Sequence, residues 1–387
     1  MFSRRTSWEM SPNRLTAAIE QTRATGREFI DLTVSNPTRT GIRYDQVAIL
    51  DSLRHERSLD YDPQPKGLLR ARVAVANYYR ARGEQVDTEA LVLTSGTSEG
   101  YSYVFRLLAN PGDEVLVPEP SYPLFDFLAE LQDVKLVPYP LIYDNGWQID
   151  FHSLQQAIGP TTRAIVLVNP NNPTGSFVNT AEREQLNGLC RRHDLALIVD
   201  EVFLDYALDS APHPSFAAND AALTFTLSGI SKISALPQMK LAWIAVSGPG
   251  HQTAAAMQRL EVIADTFLSV SAPVQLAAES MLAQRGTVQS QIVARVRKNL
   301  AELDRQLAQH KSCARLEVDG GWYAVLRVPV TQTDEDLAIA LLQEKNVLVH
   351  PGHFYDFPHD GFLVLSLIAR EADFASGIQA ILGHLDA

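Results

Sequence analysis

The sequence predicts an α/β fold, with a large unit built on a mostly parallel seven-stranded sheet and a smaller α+β unit beside it. Three observations predict it. Seven short, near-continuous apolar runs lie between Ala90 and Val246. Helical patterns stand between several of them, the arrangement that covers both faces of a parallel sheet. Beyond that stretch the pattern changes to long helices and few strands. The length of 387 residues suits two domains better than one.

Taken in order, the first 44 residues have irregular Pro and Gly content and are expected to pack on the smaller unit. Ala90–Thr94 opens the sheet and runs into a helix over Ser98–Leu108. Strands follow at Glu114–Val117, Lys135–Pro138 and Ala164–Val168, then a helix over Thr180–His193. Ala196–Val199, Leu223–Thr226 and Leu241–Val246 complete the seven. One helical stretch is expected over Gln252–Leu282 and another over Gln289–Gln309. Arg315–Val318, Tyr323–Val328, a helix near Asp334–Lys345, a strand at Phe362–Leu367 and a last helix over Glu371–Leu385 end the chain. The expected division is 45–275 for the large unit, with 1–44 and 276–387 forming the small one.

Composition narrows the function. A formal net charge of -12 makes phosphate backbones and anionic lipid poor partners, so neither nucleic acid nor membrane is expected. Cys190 and Cys313 have no metal-ligand spacing and read as reduced thiols, and no metal site is expected. MFSRRTSWEM has no apolar run behind it, and no stretch is long enough to span a bilayer. The expected location is the cytoplasm.

Four segments carry chemistry. In LVLTSGTSEGYSYVFRLL a strand ends at Thr94-Ser95-Gly96-Thr97-Ser98 and a helix begins. Free N–H groups, a helix dipole and hydroxyls there make an anion site, although simple N-capping by Ser or Thr explains the same residues. In AIVLVNPNNPTG a buried strand runs into a turn fixed by Pro170, Pro173 and Gly175, at the sheet edge where open α/β folds bind ligands. In LALIVDEVF an apolar strand ends at Asp200, a carboxylate that needs a partner such as an arginine, a helix N-terminus or a protonated heterocycle. In LTFTLSGISKISALPQMKLAWIAV, Lys232 sits between small and apolar flanks, which suits a desolvated lysine able to form a Schiff base. Ser228 and Ser231 beside it could donate to a phosphate.

Together, SGTSEG, NPNNPTG, VDEVF and SGISK, in this order and spacing, resemble the class I/II aminotransferase family of fold-type-I PLP-dependent enzymes. The resemblance covers nearly the whole chain. It implies pyridoxal 5'-phosphate as cofactor, with Lys232 as the catalytic Schiff-base lysine and proton shuttle. It also implies that Asp200 pairs with the pyridine nitrogen, that Asn172 bonds the ring hydroxyl, and that Tyr122 stacks on the ring. Gly96, Thr97 and Ser98, with Ser228 or Ser231, would hold the phosphate. Tyr61 in YDPQPKG would reach the partner subunit's phosphate, which implies a homodimer.

Three positions depart from the family pattern. The usual tyrosine three residues after the aspartate is Phe203, which cannot donate a hydrogen bond. A raised pKa of the lysine–cofactor linkage follows from that loss, with Tyr206 a nearby substitute donor. The usual phosphate arginine eight residues after the lysine is Lys240, and Gly229 stands at a usual serine. The usual substrate-carboxylate arginine, two residues before a serine in the last strand, is Val364. Arg43 could serve instead, or the substrate is not a standard α-amino acid. VHPGHFYDF resembles the family's PG-x-x-F loop, placing His350, His353 and Tyr355 beside the pocket.

The expected activity is PLP-dependent transamination, from an amine or amino-acid donor to an oxo acid. The alternative is a PLP-dependent lyase, decarboxylase or cyclase on the same scaffold. A binding protein without turnover is a third reading, opposed by the joint presence of Lys232, Asp200 and Asn172.

Overall fold

All seven predicted strands lie in one sheet, with an eighth added at its edge. A computed structural model describes residues 1–123 and 125–386 of the chain. The strands are β1 (Leu91–Thr94), β2 (Glu114–Glu119), β3 (Lys135–Tyr143), β4 (Trp147–Ile149), β5 (Thr162–Val168), β6 (Ala196–Asp200), β7 (Thr224–Gly229) and β8 (Ala242–Ser247). Their order across the sheet is β1-β8-β7-β6-β5-β2-β3-β4. The run β3-β2-β5-β6-β7 is parallel. β8 is antiparallel to β7 and to β1, so β1 points the same way as β7. β6 is buried along its whole length, which explains why its sequence is continuously apolar rather than alternating.

The strand missing from the sequence reading is β4, which pairs antiparallel with β3. Its signal was present. Asn145 and Gly146 both have positive φ between the two strands, a turn chemistry that marks hairpins. The stretch read as one helix over Gln252–Leu282 is two, Gly250–Phe267 and Ala272–Ala283. Pro273 explains the break, because it fits the first turn of a helix and not its interior. The later helices span Arg285–Leu307, Asp334–Lys345 and Glu371–Leu385.

A smaller antiparallel sheet contains β9 (Ala314–Arg315), β10 (Tyr323–Arg327), β11 (His350–Pro351) and β12 (Phe362–Ser366), in the order β9-β10-β12-β11. Its register sets Val364 between Val325 on one side and His350 on the other. The N-terminal segment is tied to this sheet. Ile30–Asp31 pairs with Val347–Leu348, and the Ser366 N–H donates to the Leu32 carbonyl at 2.7 Å. One apolar core joins Leu15, Leu32 and Ile42 to Val296, Leu326 and Phe374. The Ser121 N–H donates to the Tyr355 carbonyl at 2.9 Å, bringing the loop after β2 against the smaller sheet.

Candidate active site

Chain direction places the four chemical segments together. β1, β5, β6 and β7 run the same way, so Ser95, Asn169, Glu201 and the lysine turn all follow carboxyl ends at one sheet edge. Asp200 ends β6 and is buried. Its Oδ1 accepts the Val202 N–H at 3.1 Å, and its Oδ2 accepts the Tyr101 hydroxyl at 3.3 Å. Burial pushes this carboxyl up to about 6, against the lowering effect of those donors and of Lys232.

Lys232 lies in the short helix Ile230–Ile233 directly after β7. Its Nζ stands 4.9 Å from the Trp322 ring and 5.4 Å from the Phe203 ring. The residue keeps some solvent-accessible surface, yet protein crowds the ammonium, and burial lowers it to about 8. Asp200 opposes that shift, but the two groups form no direct ion pair among the described residues. Such an arrangement keeps a fraction of the amine neutral and nucleophilic near neutral pH.

The turn after β5 divides its two central asparagines. Asn171 is fully engaged, donating to the Pro120 carbonyl at 3.0 Å and to Thr174 Oγ1 at 2.9 Å while accepting from Ser121 Oγ. Asn172 is buried and its Oδ1 has no partner within the described protein. An orphan amide oxygen in a buried site is costly unless a ligand completes it. Gly175 closes the turn with φ of 74°, and a Cβ there would lie 2.5 Å from the Gly320 carbonyl oxygen. Only glycine fits both conditions.

The helix Thr97–Leu108 starts at Gly96 with no side-chain cap. The hydroxyls of Thr97 and Ser98 therefore leave the first N–H groups open, and plain N-capping does not account for them. The ideal Cβ position of Gly96 is 3.4 Å from Lys240 Nζ, so an ammonium stands over this helix end. Open N–H groups with a cation above them suit an anion. Ser231 adjoins Lys232 and is half-buried. Ser228 differs: its hydroxyl is buried and turned toward the Glu201 carbonyl at 3.4 Å. Tyr122 is half-buried with its ring edge-on to Phe125, and burial together with the Asp200 charge pushes its phenol up to about 12. Tyr61 is 79% exposed.

Phe203 is buried against Trp322, Tyr323 and Tyr206. Tyr206 does not stand in for the missing donor, because its hydroxyl donates to the Lys232 carbonyl at 2.6 Å and fixes the lysine turn. Arg43 is exposed and Arg370 is exposed. His353 is exposed too, whereas His350 is half-buried and its Nδ1 is 3.0 Å from the Tyr355 hydroxyl. The sequence reading missed Tyr101, Trp322 and Tyr323. Tyr101 shares a helical stripe with Val104 and Phe105, so periodicity marks it as core and hides its hydrogen bond to Asp200.

The sequence profile of the family described as aminotransferase class I and II matches residues 29–370. The chain is 28% identical over 351 residues to the glutamate-pyruvate aminotransferase AlaA of Haemophilus influenzae, covering 88% of this chain and 87% of that one. It is 27% identical over 370 residues to an alanine aminotransferase of Mycobacterium tuberculosis, covering 92% and 86%. The crystal structure of an aminotransferase from Escherichia coli superposes with a TM-score of 0.89 at 25% identity, covering 100% of this chain and 98% of that one.

Proposed function

The chain belongs to the class I and II aminotransferases and is a PLP-dependent aminotransferase of that fold, and from that premise we propose that Lys232 is the group on which its chemistry turns. A buried carboxylate and a lysine crowded by protein, left without an ion pair at one sheet edge, carry this reading. Pyridoxal 5'-phosphate fits the residues present. Asp200 would hold the protonated ring nitrogen, the one cation that a buried carboxylate there lacks. Asn172, with its unsatisfied amide, would bond the ring hydroxyl. The open helix end at Gly96, Thr97 and Ser98, with Lys240 and Ser231, would hold the phosphate. Tyr122 would cover the ring face. When bound, the cofactor supplies an electron sink for the carbanion formed at the reacting carbon.

The protein's own part is positioning and proton movement. Lys232 Nζ, lowered to about 8, takes the proton from the carbon that bears the amino group and returns it once the electrons have shifted. Tyr206 holds the lysine backbone in place while it does so. Phe203 and Trp322 keep water from the amine by packing their rings beside it. The substrates are an amine or amino acid and an oxo acid. We place the enzyme in the cytoplasm as a homodimer, with the exposed Tyr61 reaching the partner's phosphate site.

Visible absorbance of the reconstituted protein tests this. The wild type is expected to show a band near the cofactor's lysine-linked form that converts to the pyridoxamine form with an amino donor alone. Lys232→Ala is expected to lack that band. A wild type that binds no cofactor refutes the assignment. Loss of substrate without any pyridoxamine form favours the lyase, decarboxylase or cyclase chemistry.

A further inference from the structure

The wall facing Lys232 is built from uncharged side chains, with the exposed Asp31 carboxylate near enough to His350 to act on it. The Phe203 ring beside the lysine lies 6.3 Å from Tyr323, which lies 6.4 Å from Tyr355. Tyr355 is hydrogen-bonded to His350, and His350 stands directly across from Val364 in the sheet register. Val364 is buried. Trp322, whose ring is 4.9 Å from Lys232 Nζ, leaves its indole N–H unpaired within the described protein. Burial pushes the Tyr355 phenol upward and lowers the His350 imidazole to about 4, so both stay uncharged near neutral pH.

Of the nearby arginines, Arg295 and Arg327 are engaged elsewhere, and Arg39, Arg43 and Arg370 are exposed. Arg295 donates to the carbonyls of Thr40 and Ala369 and lies beside Glu371. Arg39 and Arg370 line a surface depression with Glu28, Asp31 and Lys345. Arg327 extends over the Tyr143 ring. A carboxylate set against Val364 would therefore lose water and gain no cation, which is expensive. A hydroxyl meets a better match. It can donate and accept, and the Tyr355–His350 pair keeps one lone pair or proton free for it.

We infer that the substrate group that reaches Val364 is uncharged, and that β-amino alcohols are preferred over the matching α-amino acids. This rests on Lys232 being the centre of an aminotransferase site. The reaction balances without any further reagent. The amino group of the alcohol exchanges with the carbonyl oxygen of the oxo acceptor, whose own group set against Val364 is uncharged too, so that any carboxylate it carries lies elsewhere. The C–H proton of the donor passes through Lys232 to the acceptor carbon. L-alaninol thus leaves hydroxyacetone, and the acceptor becomes an amine.

The test compares L-alaninol with L-alanine on the reconstituted holoenzyme, reading the second-order rate at which the visible band is lost. Beside it, propionate and propan-1-ol are titrated by calorimetry as non-reacting mimics of the two groups. L-alaninol is expected to react at least about tenfold faster, and propionate to show no saturable binding. Val364→Arg is expected to reverse the preference and create propionate binding. Tyr355→Phe, a milder change, is expected to narrow the ratio toward one. If L-alanine reacts faster and propionate saturates in the wild type, the inference falls while the Lys232 assignment stands. If neither amine reacts, saturable propionate binding alone overturns it, and its appearance only in Val364→Arg supports it. If no band forms on reconstitution, the assignment beneath it fails and the inference with it.

Discussion

The two walls of the site bury different things. The wall built by the large sheet holds Asp200, raised to about 6, and Lys232, lowered to about 8. The wall built by the small sheet holds Val364, Tyr323, Tyr355 and a neutral His350. Burying an unpaired charge costs several kcal/mol, so a chain keeps one only where something else will meet it. By that standard the first wall is shaped around a ligand with complementary charge, and the second around one without. The most damaging way to test the contrast is to remove its charged pole. Lys232→Ala should lower aminotransfer by roughly 10,000-fold, the scale of losing a positioned acid–base group. A single-turnover assay on the reconstituted variant checks this, and a loss below tenfold would leave the first wall without its special status.

Asp200 is the second pole. Asp200→Asn keeps the shape and the Val202 contact but cannot stabilise a protonated ring. Cofactor affinity and turnover should each fall roughly 100-fold, as for truncating one member of a buried charge pair. Equilibrium dialysis with the cofactor measures the first. Unchanged affinity would mean that Asp200 answers to Tyr101 and Val202 alone.

Both walls were partly legible in the sequence, by different routes. Buried parallel strands announce themselves by continuous apolar runs, so a polar residue ending one, such as Asp200, stands out. Lys232 stood out for the same reason, by its apolar flanks. The second wall is assembled from an N-terminal segment, β10, β11 and β12, which are far apart in sequence. The family resemblance could mark Val364 as unusual, but not that His350 sits across from it. Ser228 shows the opposite failure: a hydroxyl at the right place in sequence, turned inward toward Glu201 in space. Tyr206 likewise has the right chemistry for a ring-hydroxyl donor and a different partner.

The asparagine pair after β5 sharpens the contrast within a single turn. Asn171 serves the protein and Asn172 has an unmet oxygen. Asn171→Ala should destabilise the cofactor-free protein by about 1–3 kcal/mol, because it strands the Pro120 and Thr174 partners. Asn172→Ala should leave cofactor-free stability nearly unchanged and weaken cofactor binding about tenfold. Denaturant melts and cofactor titrations of both variants read the two effects. Equal stability losses would erase the distinction.

The smallest effect on turnover is expected next door to Asp200. Glu201 is also buried and also raised, to about 7, yet both its oxygens are met by protein donors. Its Oε1 accepts the Phe216 N–H at 2.7 Å and its Oε2 accepts the Ser215 hydroxyl. Its folded pKa lies above the ordinary 4.5, so the native state keeps a proton that the unfolded chain releases. That contribution to stability is full below pH 4.5 and is lost as pH rises toward 7, by roughly 1–3 kcal/mol. Glu201→Gln can keep the Phe216 contact and turn its amide onto Ser215, with no charge to bury. Denaturant midpoints of this variant should fall less than those of the wild type between pH 4.5 and 7, with turnover unchanged. Bound cofactor should flatten the part of the pH dependence that comes from Asp200, since a ring cation lowers that carboxyl again, and leave the part from Glu201 in place. If the cofactor removed both parts, or if Glu201→Gln kept the wild-type slope, the two adjacent carboxylates would not differ in the way the two walls do.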